Sequence, residues 1–143
     1  MCPEGFECTN KAIAPVQCSA GTASAEGEMT CNACADGFYQ NVAGQGACLD
    51  CPVGHECSDK SSLPVQCLAG TFAPEHSVSC SICPDGQFQD TAGQEDCNNC
   101  PAGHVCMDKS VASVECPAGF ECTNQAESPV ACLAGEYSLG GTD

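Results

Sequence analysis

CPEG at residues 2–5, CSAG at 18–21 and CADG at 34–37 are three instances of one phrase, Cys-x-x-Gly, that runs the length of the 143-residue chain. It starts again at Cys51, Cys67, Cys83, Cys100, Cys116 and Cys132, so that successive starts lie 16 or 17 residues apart throughout. Nine starts at so even a spacing describe a string of small, similar repeat units, because self-similarity at a fixed period is the mark of a repeat architecture. Gly is the fourth residue of every unit, where a tight turn needs positive φ or a close backbone approach. A ring follows at Phe6, Tyr39, His55, Phe72, Phe88, His104, Phe120 and Tyr137, with Ala23 in the corresponding place of the second unit. These rings are expected to form each unit's miniature core, laid over a cystine. A binding stripe of aromatics is the alternative.

The composition leaves little else to build with. Five Phe, two Tyr and no Trp stand against 17 Cys, 15 Gly and 9 Pro. Such a density of cysteine marks a disulfide scaffold of an oxidising compartment. Zinc is the rival, since Cys-x-x-Cys occurs at Cys31–Cys34, Cys48–Cys51, Cys80–Cys83 and Cys97–Cys100. Zinc sites draw four ligands from two close pairs, whereas single cysteines such as Cys8, Cys18, Cys57 and Cys67 are interspersed here, which favours disulfides. A thioredoxin-like redox centre wants its motif at a helix N-terminus, and these four motifs join one unit to the next.

The units are of three kinds. Short ones carry an inner Cys six residues after the start: Cys2–Cys8, Cys51–Cys57, Cys100–Cys106 and Cys116–Cys122. A second kind carries it after thirteen, at Cys18–Cys31 and Cys67–Cys80, and a third after fourteen, at Cys34–Cys48 and Cys83–Cys97. One of each in succession gives a 49-residue super-repeat. Three regions follow: residues 2–50, 51–99, and a divergent third, 100–143, in which an extra short unit at Cys116 replaces a long one. If each start pairs with its own inner cysteine, those eight pairs use sixteen cysteines and leave Cys132 alone. Its partner is then expected beyond Asp143, with the chain stopping in mid-unit; a free reactive thiol is the other reading. Crossed pairing between adjacent units, such as Cys8–Cys18, is an alternative connectivity. Local pairing contributes about 2.4 kcal/mol per short loop and about 3 kcal/mol per thirteen-residue loop by chain entropy. Crosslinks must supply much of what a core would, and each unit is expected to touch mainly its neighbours.

The expected fold class is therefore small disulfide-rich repeats. They would form an elongated rod of short two-stranded hairpins and turns with almost no helix. The long units suit hairpins of three or four residues per arm (FYQNVAGQ, QFQDTAGQ), with second turns at Gly44–Gln45 and Gly93–Gln94 and Gly140–Gly141 in the matching place. The short units end in loops where Pro15, Pro64 and Pro129 argue against a regular ladder.

C-x-x-G-x-[FY], a G-Q turn and then C-x-x-C-P-x-G resembles the cysteine-rich repeats called ephrin-receptor-like, or GCC2/GCC3, repeats. These are related in spacing to the smallest submodule of tumour-necrosis-factor-receptor domains. The matching phrases are CADGFYQNVAGQGACLDCPVG from Cys34 to Gly54 and CPDGQFQDTAGQEDCNNCPAG from Cys83 to Gly103, with CLAGEYSLGGTD at the C-terminus. The resemblance implies an extracellular, secreted or cell-surface location, within a large and often repetitive eukaryotic protein. Such repeats also build extracellular appendages in protists and algae. The family has no shared catalytic residues.

The formal charge of −16, from 19 acidic residues against three basic ones, excludes a phosphate-backbone binder and disfavours docking on an anionic membrane. No apolar run approaches the roughly 20 residues that span a bilayer, so no membrane insertion is expected in this segment. Asp85, Asp90, Asp96, Glu26, Glu28 and Glu75 are scattered over hairpins too small to make a dry catalytic cleft, and no enzyme activity is expected. His55 and His104 occupy equivalent ring positions, a structural placement, while His76 lies in a loop. No cofactor is expected. The acidic field suits weak, diffuse calcium binding, but no spacing supplies a defined site. N-linked sugar has no sequon; Ser19, Thr22, Ser24, Ser61, Ser62 and Ser128 are candidates for O-linked sugar.

Lys11, Lys60 and Lys109 are the chain's three basic residues, each nine residues after the first Cys of its super-repeat, and Gln125 takes that place in the extra short unit. They are candidates for contacts between neighbouring rods, or for local bridges. The favoured function is a structural or assembly segment: a disulfide-stapled spacer or filament-forming rod whose partners are copies of itself or other extracellular structural proteins. The alternative is a ligand-binding ectodomain segment of a cell-surface receptor or secreted signalling protein, with the ligand surface in the irregular Cys100–Cys132 region.

Overall fold

In the computed structural model, which describes residues 1–9 and 13–141, every regular element is a two-residue strand. Antiparallel pairing joins them into eight hairpins, and no helix occurs among the described residues. The chain divides into two lobes. One comprises residues 1–66 with 73–80, the other residues 67–72 with 81–143.

In the first lobe β1 (Phe6–Glu7) pairs with β2 (Val16–Gln17), β3 (Thr22–Ala23) with β4 (Asn32–Ala33), β5 (Phe38–Tyr39) with β6 (Leu49–Asp50), and β7 (His55–Glu56) with β8 (Val65–Gln66). In the second, β9 (Thr71–Phe72) pairs with β10 (Ser81–Ile82), and β11 (Gln87–Phe88) with β12 (Asn98–Asn99). There too β13 (His104–Val105) pairs with β14 (Val114–Glu115), and β15 (Phe120–Glu121) with β16 (Val130–Ala131). Each unit thus follows one plan. Its first strand leaves the Cys-x-x-Gly turn and its second runs into the next unit's first cysteine. The Cys18 N–H donates to Gly5 O at 2.9 Å to close the first hairpin, and the Cys116 N–H does the same for Gly103 O at 2.8 Å.

This plan differs from the sequence-based expectation in three ways. The arms have two residues, and in the third kind of unit the returning arm lies beyond the G-Q turn, at Leu49–Asp50 and Asn98–Asn99. The short units also form hairpins. Pro15, Pro64 and Pro129 each immediately precede the second strand, a position where the missing N–H ends a ladder without breaking one.

The glycine expectation holds. All nine fourth-position glycines have φ between 70° and 98°, the left-handed region that side chains rarely adopt. Where a long unit follows, the turn's free N–H reaches forward: Gly5 donates to Ser24 O (2.8 Å), Gly21 to Gln40 O (2.7 Å) and Gly70 to Gln89 O (2.7 Å). The same two glutamines carry the chain of bonds onward: the Gln40 N–H donates to Lys60 O and the Gln89 N–H to Lys109 O, both at 2.8 Å. Successive units are therefore joined by main-chain bonds, as backbone groups removed from water require. Contacts also skip a unit: a Cβ on Gly5 would overlap the Gly44 carbonyl, and one on Gly103 the Gly141 carbonyl.

The core is sulfur. Cys18, Cys34, Cys51, Cys67, Cys83 and Cys116 are all but fully buried. The structure joins Cys2–Cys8, Cys18–Cys31, Cys34–Cys48, Cys51–Cys57, Cys83–Cys97, Cys100–Cys106 and Cys116–Cys122. Cys67 and Cys80 are disulfide-bonded as well, and Cys132 is a free thiol. The rings do not fill the interior as expected. Phe6, Tyr39, His55, Phe72, Phe88 and His104 are only half-buried, and Phe120 and Tyr137 are exposed, because a two-residue hairpin offers no second layer to cover them. Buried polar residues complete the core. Gln40 Nε2 donates to Ala47 O (2.9 Å) while its Oε1 accepts from the Val42 N–H (3.2 Å). Gln89 repeats this with Asp96 O and the Thr91 N–H at the same distances.

Candidate functional site

Two of the three lysines singled out by their spacing, Lys60 and Lys109, have partners within their own lobes. Lys60 Nζ lies 2.8 Å from Asp36 Oδ1. Lys109 Nζ donates to Asp85 Oδ1 (2.9 Å) and to Cys83 O (2.6 Å). Each lysine reaches the third residue of the preceding Cys-x-x-Gly turn. In the extra short unit that turn is CPAG at 100–103, which offers Ala102 and no carboxylate. There Gln125 Nε2 donates to Pro101 O at 3.1 Å instead. Where the acid is missing, so is the lysine, which accounts for the one departure from the lysine pattern. Lys11 lies outside the described residues. The hydrogen bonds from Lys60 and Lys109, and then their charge, hold the Asp36 and Asp85 carboxyls below the usual aspartate range.

The histidines separate into two kinds. His55 Nδ1 lies 2.9 Å from Val53 O and His104 Nδ1 3.2 Å from Ala102 O, so each ring closes its own turn. His76, in a loop, stacks on Phe38 with ring centroids 4.9 Å apart and places Nε2 2.9 Å from Asp50 Oδ1. Its φ of 65° is the one positive value among the described non-glycine residues. The hydroxyls also divide. Ser24 is fully buried, which removes it as a sugar acceptor, while the Ser61 and Ser62 hydroxyls donate to the Asp59 carboxylate. Among the described residues no three His, Cys, Asp or Glu side chains are grouped as metal ligands.

A concave apolar surface lies in the irregular region. A groove of about 350 Å³ is floored by Val105, Met107, Val111 and Val114 and walled by Pro117 and Pro129, with Asp108 and Glu115 also lining it. Exposed aliphatic residues are ordinary on a protein surface; here exposure and concavity coincide, since Met107 is 52% and Val114 60% exposed. Val105 is instead buried in a cluster with Cys116 and Cys122.

The origin of the groove is legible when the four short units are aligned. One residue before the inner cysteine they read Glu7, Glu56, Val105 and Glu121, and one residue after it Thr9, Ser58, Met107 and Thr123. Only the unit at 100–106 exchanges a carboxylate for Val and a hydroxyl for Met. In the second super-repeat the Glu56 carboxylate accepts from the Cys80 N–H at 2.9 Å. Val105 has no acceptor to offer and packs on the cystine of the inserted unit. At the place of Val111 the second super-repeat has Ser62 but the first has Ile13, so an apolar residue there is not peculiar to this unit. Internal comparison of the units is the signal that finds this surface; the 16-residue beat alone does not.

The family model described as tyrosine-protein kinase ephrin type A/B receptor-like matches residues 21–63 and 70–116. The two matches begin at Gly21 and Gly70, one 49-residue super-repeat apart. No curated protein is similar enough to the chain to register as a match.

Proposed function

The chain belongs to the ephrin type A/B receptor-like family of cysteine-rich repeats, and from that premise we propose that it is a non-catalytic, ligand-binding segment of a cell-surface or secreted extracellular protein. The observation that carries this reading is the position of the groove. The apolar concavity lies where the repeat pattern breaks, on the unit whose Glu and hydroxyl have become Val105 and Met107. A spacer needs uniform units, whereas recognition needs one that differs.

Two further points favour recognition over the filament-forming role that the regular spacing first suggests. Lys60 and Lys109 already pair with Asp36 and Asp85 of the same chain, so contacts to a neighbouring copy would have to break those pairs. A formal charge of −16 on 143 residues also resists side-by-side packing. The GCC2/GCC3 assignment within the family rests on the Cys34–Gly54 and Cys83–Gly103 phrases.

Electron microscopy of the native full-length protein, with and without a calcium chelator, tests the reading. Dispersed single molecules in both conditions are expected. Polymers or laterally associated copies would return the function to assembly.

A further inference from the structure

We propose that the groove at Val105–Pro129 seats an apolar side chain carried by a basic segment of a partner polypeptide; the inference rests on the recognition reading above and names the partner's chemistry. Two independent features specify that chemistry, the lining of the groove and the charge around it.

The lining is almost wholly apolar: valines, Met107 and two prolines. Its volume of about 350 Å³ falls at the small end of the roughly 300–1,000 Å³ typical of ligand sites. That suits one or two side chains of a peptide rather than a large hydrophobic surface. Met107 adds an unbranched thioether that adapts to differing shapes, and its sulfur already accepts from the Ser128 hydroxyl at 3.4 Å. The residue next to Pro129 is thereby tied to Met107 of the lining.

The charge lining the groove has one sign: its two charged residues, Asp108 and Glu115, are both acidic. The region's one lysine, Lys109, is held by Asp85 and Cys83 O. The Asp108 carboxylate accepts from the Ser110 N–H (2.9 Å) and hydroxyl (2.6 Å), which keeps it ionised at the rim. An apolar floor within a negative rim attracts a cationic chain by steering and retains it by burial of one anchor. Nucleic acid and anionic lipid are repelled by the same field.

The test uses the whole oxidised chain and three labelled octapeptides read by fluorescence anisotropy. One alternates Lys and Arg around a central Leu-Phe, one replaces Leu-Phe with Ser-Ser, and one keeps Leu-Phe between Glu residues. Saturable one-to-one binding of the first is expected, with the second weaker by about tenfold or more and the third silent. Met107→Asp and Val114→Asp change exposed side chains, so the hairpins persist, and each should weaken the first peptide by about tenfold. Glu115→Gln should reduce the salt dependence of its association. Equal binding of the first two peptides would reduce the effect to bulk charge and overturn the inference. So would indifference to both groove variants, or no saturable binding at all. Those failures leave a dispersed recognition segment standing; only polymers of the native protein would remove that reading.

Discussion

Replacing Gln89 by Met tests the claim that buried polar side chains, and not rings, complete the interior of the long units. The substitution keeps length and volume and deletes the amide. It removes the donor to Asp96 O (2.9 Å) and the acceptor for the Thr91 N–H (3.2 Å). Gln89 itself is 5% exposed, but Thr91 and Asp96 lie at the surface, so water can take over the freed groups. The net value of a hydrogen bond applies, rather than the full penalty of an orphaned buried group. Two bonds at about 0.5–1.5 kcal/mol each give about 1–3 kcal/mol. The loss should be local, because the Cys83–Cys97 disulfide still closes the loop and the Gln89 main-chain bonds to Gly70 and Lys109 remain. Hydrogen exchange read by NMR is the assay. The Thr91 amide should lose protection by about 5- to 150-fold while the amides of Gln87 and Phe88 change little. Gln40→Met should do the same to Val42. Unchanged protection at Thr91 would show that the amide contributes nothing to the loop and refute the reasoning.

Acid should destabilise the chain through the lysine-paired aspartates. Their folded pKa values lie below the unfolded ones, so the stability they add is present above the unfolded value and fades as pH falls through the folded one, below about pH 4. In guanidinium titrations a Lys60→Met/Lys109→Met variant should show a shallower decline over that window. Asp59 and Asp108, held down by Ser61 and Ser110, supply what slope remains. An equal slope in both proteins would dismiss the pairs. Two glycines separate conformational strain from steric overlap. Gly27 has φ 89° with open space around it, so Gly27→Ala should cost about 1–2 kcal/mol from the left-handed backbone alone. Gly5→Ala carries the same strain and drives its Cβ into the Gly44 carbonyl, so its denaturation midpoint should fall further; equal midpoints would contradict the close approach.

Much of this fold is written in the sequence because its determinants are single residues at fixed offsets. Gly5 and its eight counterparts announce turns, and the missing aromatic mass announces that no ordinary core exists. The hairpin arms are less legible. Val16–Gln17 and Leu49–Asp50 carry no strand pattern of their own, and they pair because the next Cys-x-x-Gly turn returns the chain there. The main-chain bonds between units, such as Gly21 to Gln40 O, involve no particular side chain and leave no trace in sequence. The stack of His76 on Phe38 joins residues 38 apart in the chain, with no periodic reason to meet. At the candidate site the trace was present but faint. Val105 and Met107 are unremarkable alone and become informative only beside Glu56 and Ser58.

Local cystines hold each unit, and the hairpins, the forward main-chain bonds and the groove at Val105 all depend on them. Peptide mapping without reduction, after peptic digestion at acid pH to suppress exchange, is the most direct measurement. It should recover Cys51–Cys57, Cys100–Cys106 and Cys116–Cys122 as short loops and Cys34–Cys48 and Cys83–Cys97 as longer ones. Recovery of Cys8–Cys18 or Cys57–Cys67 crosslinks between neighbouring units would contradict it.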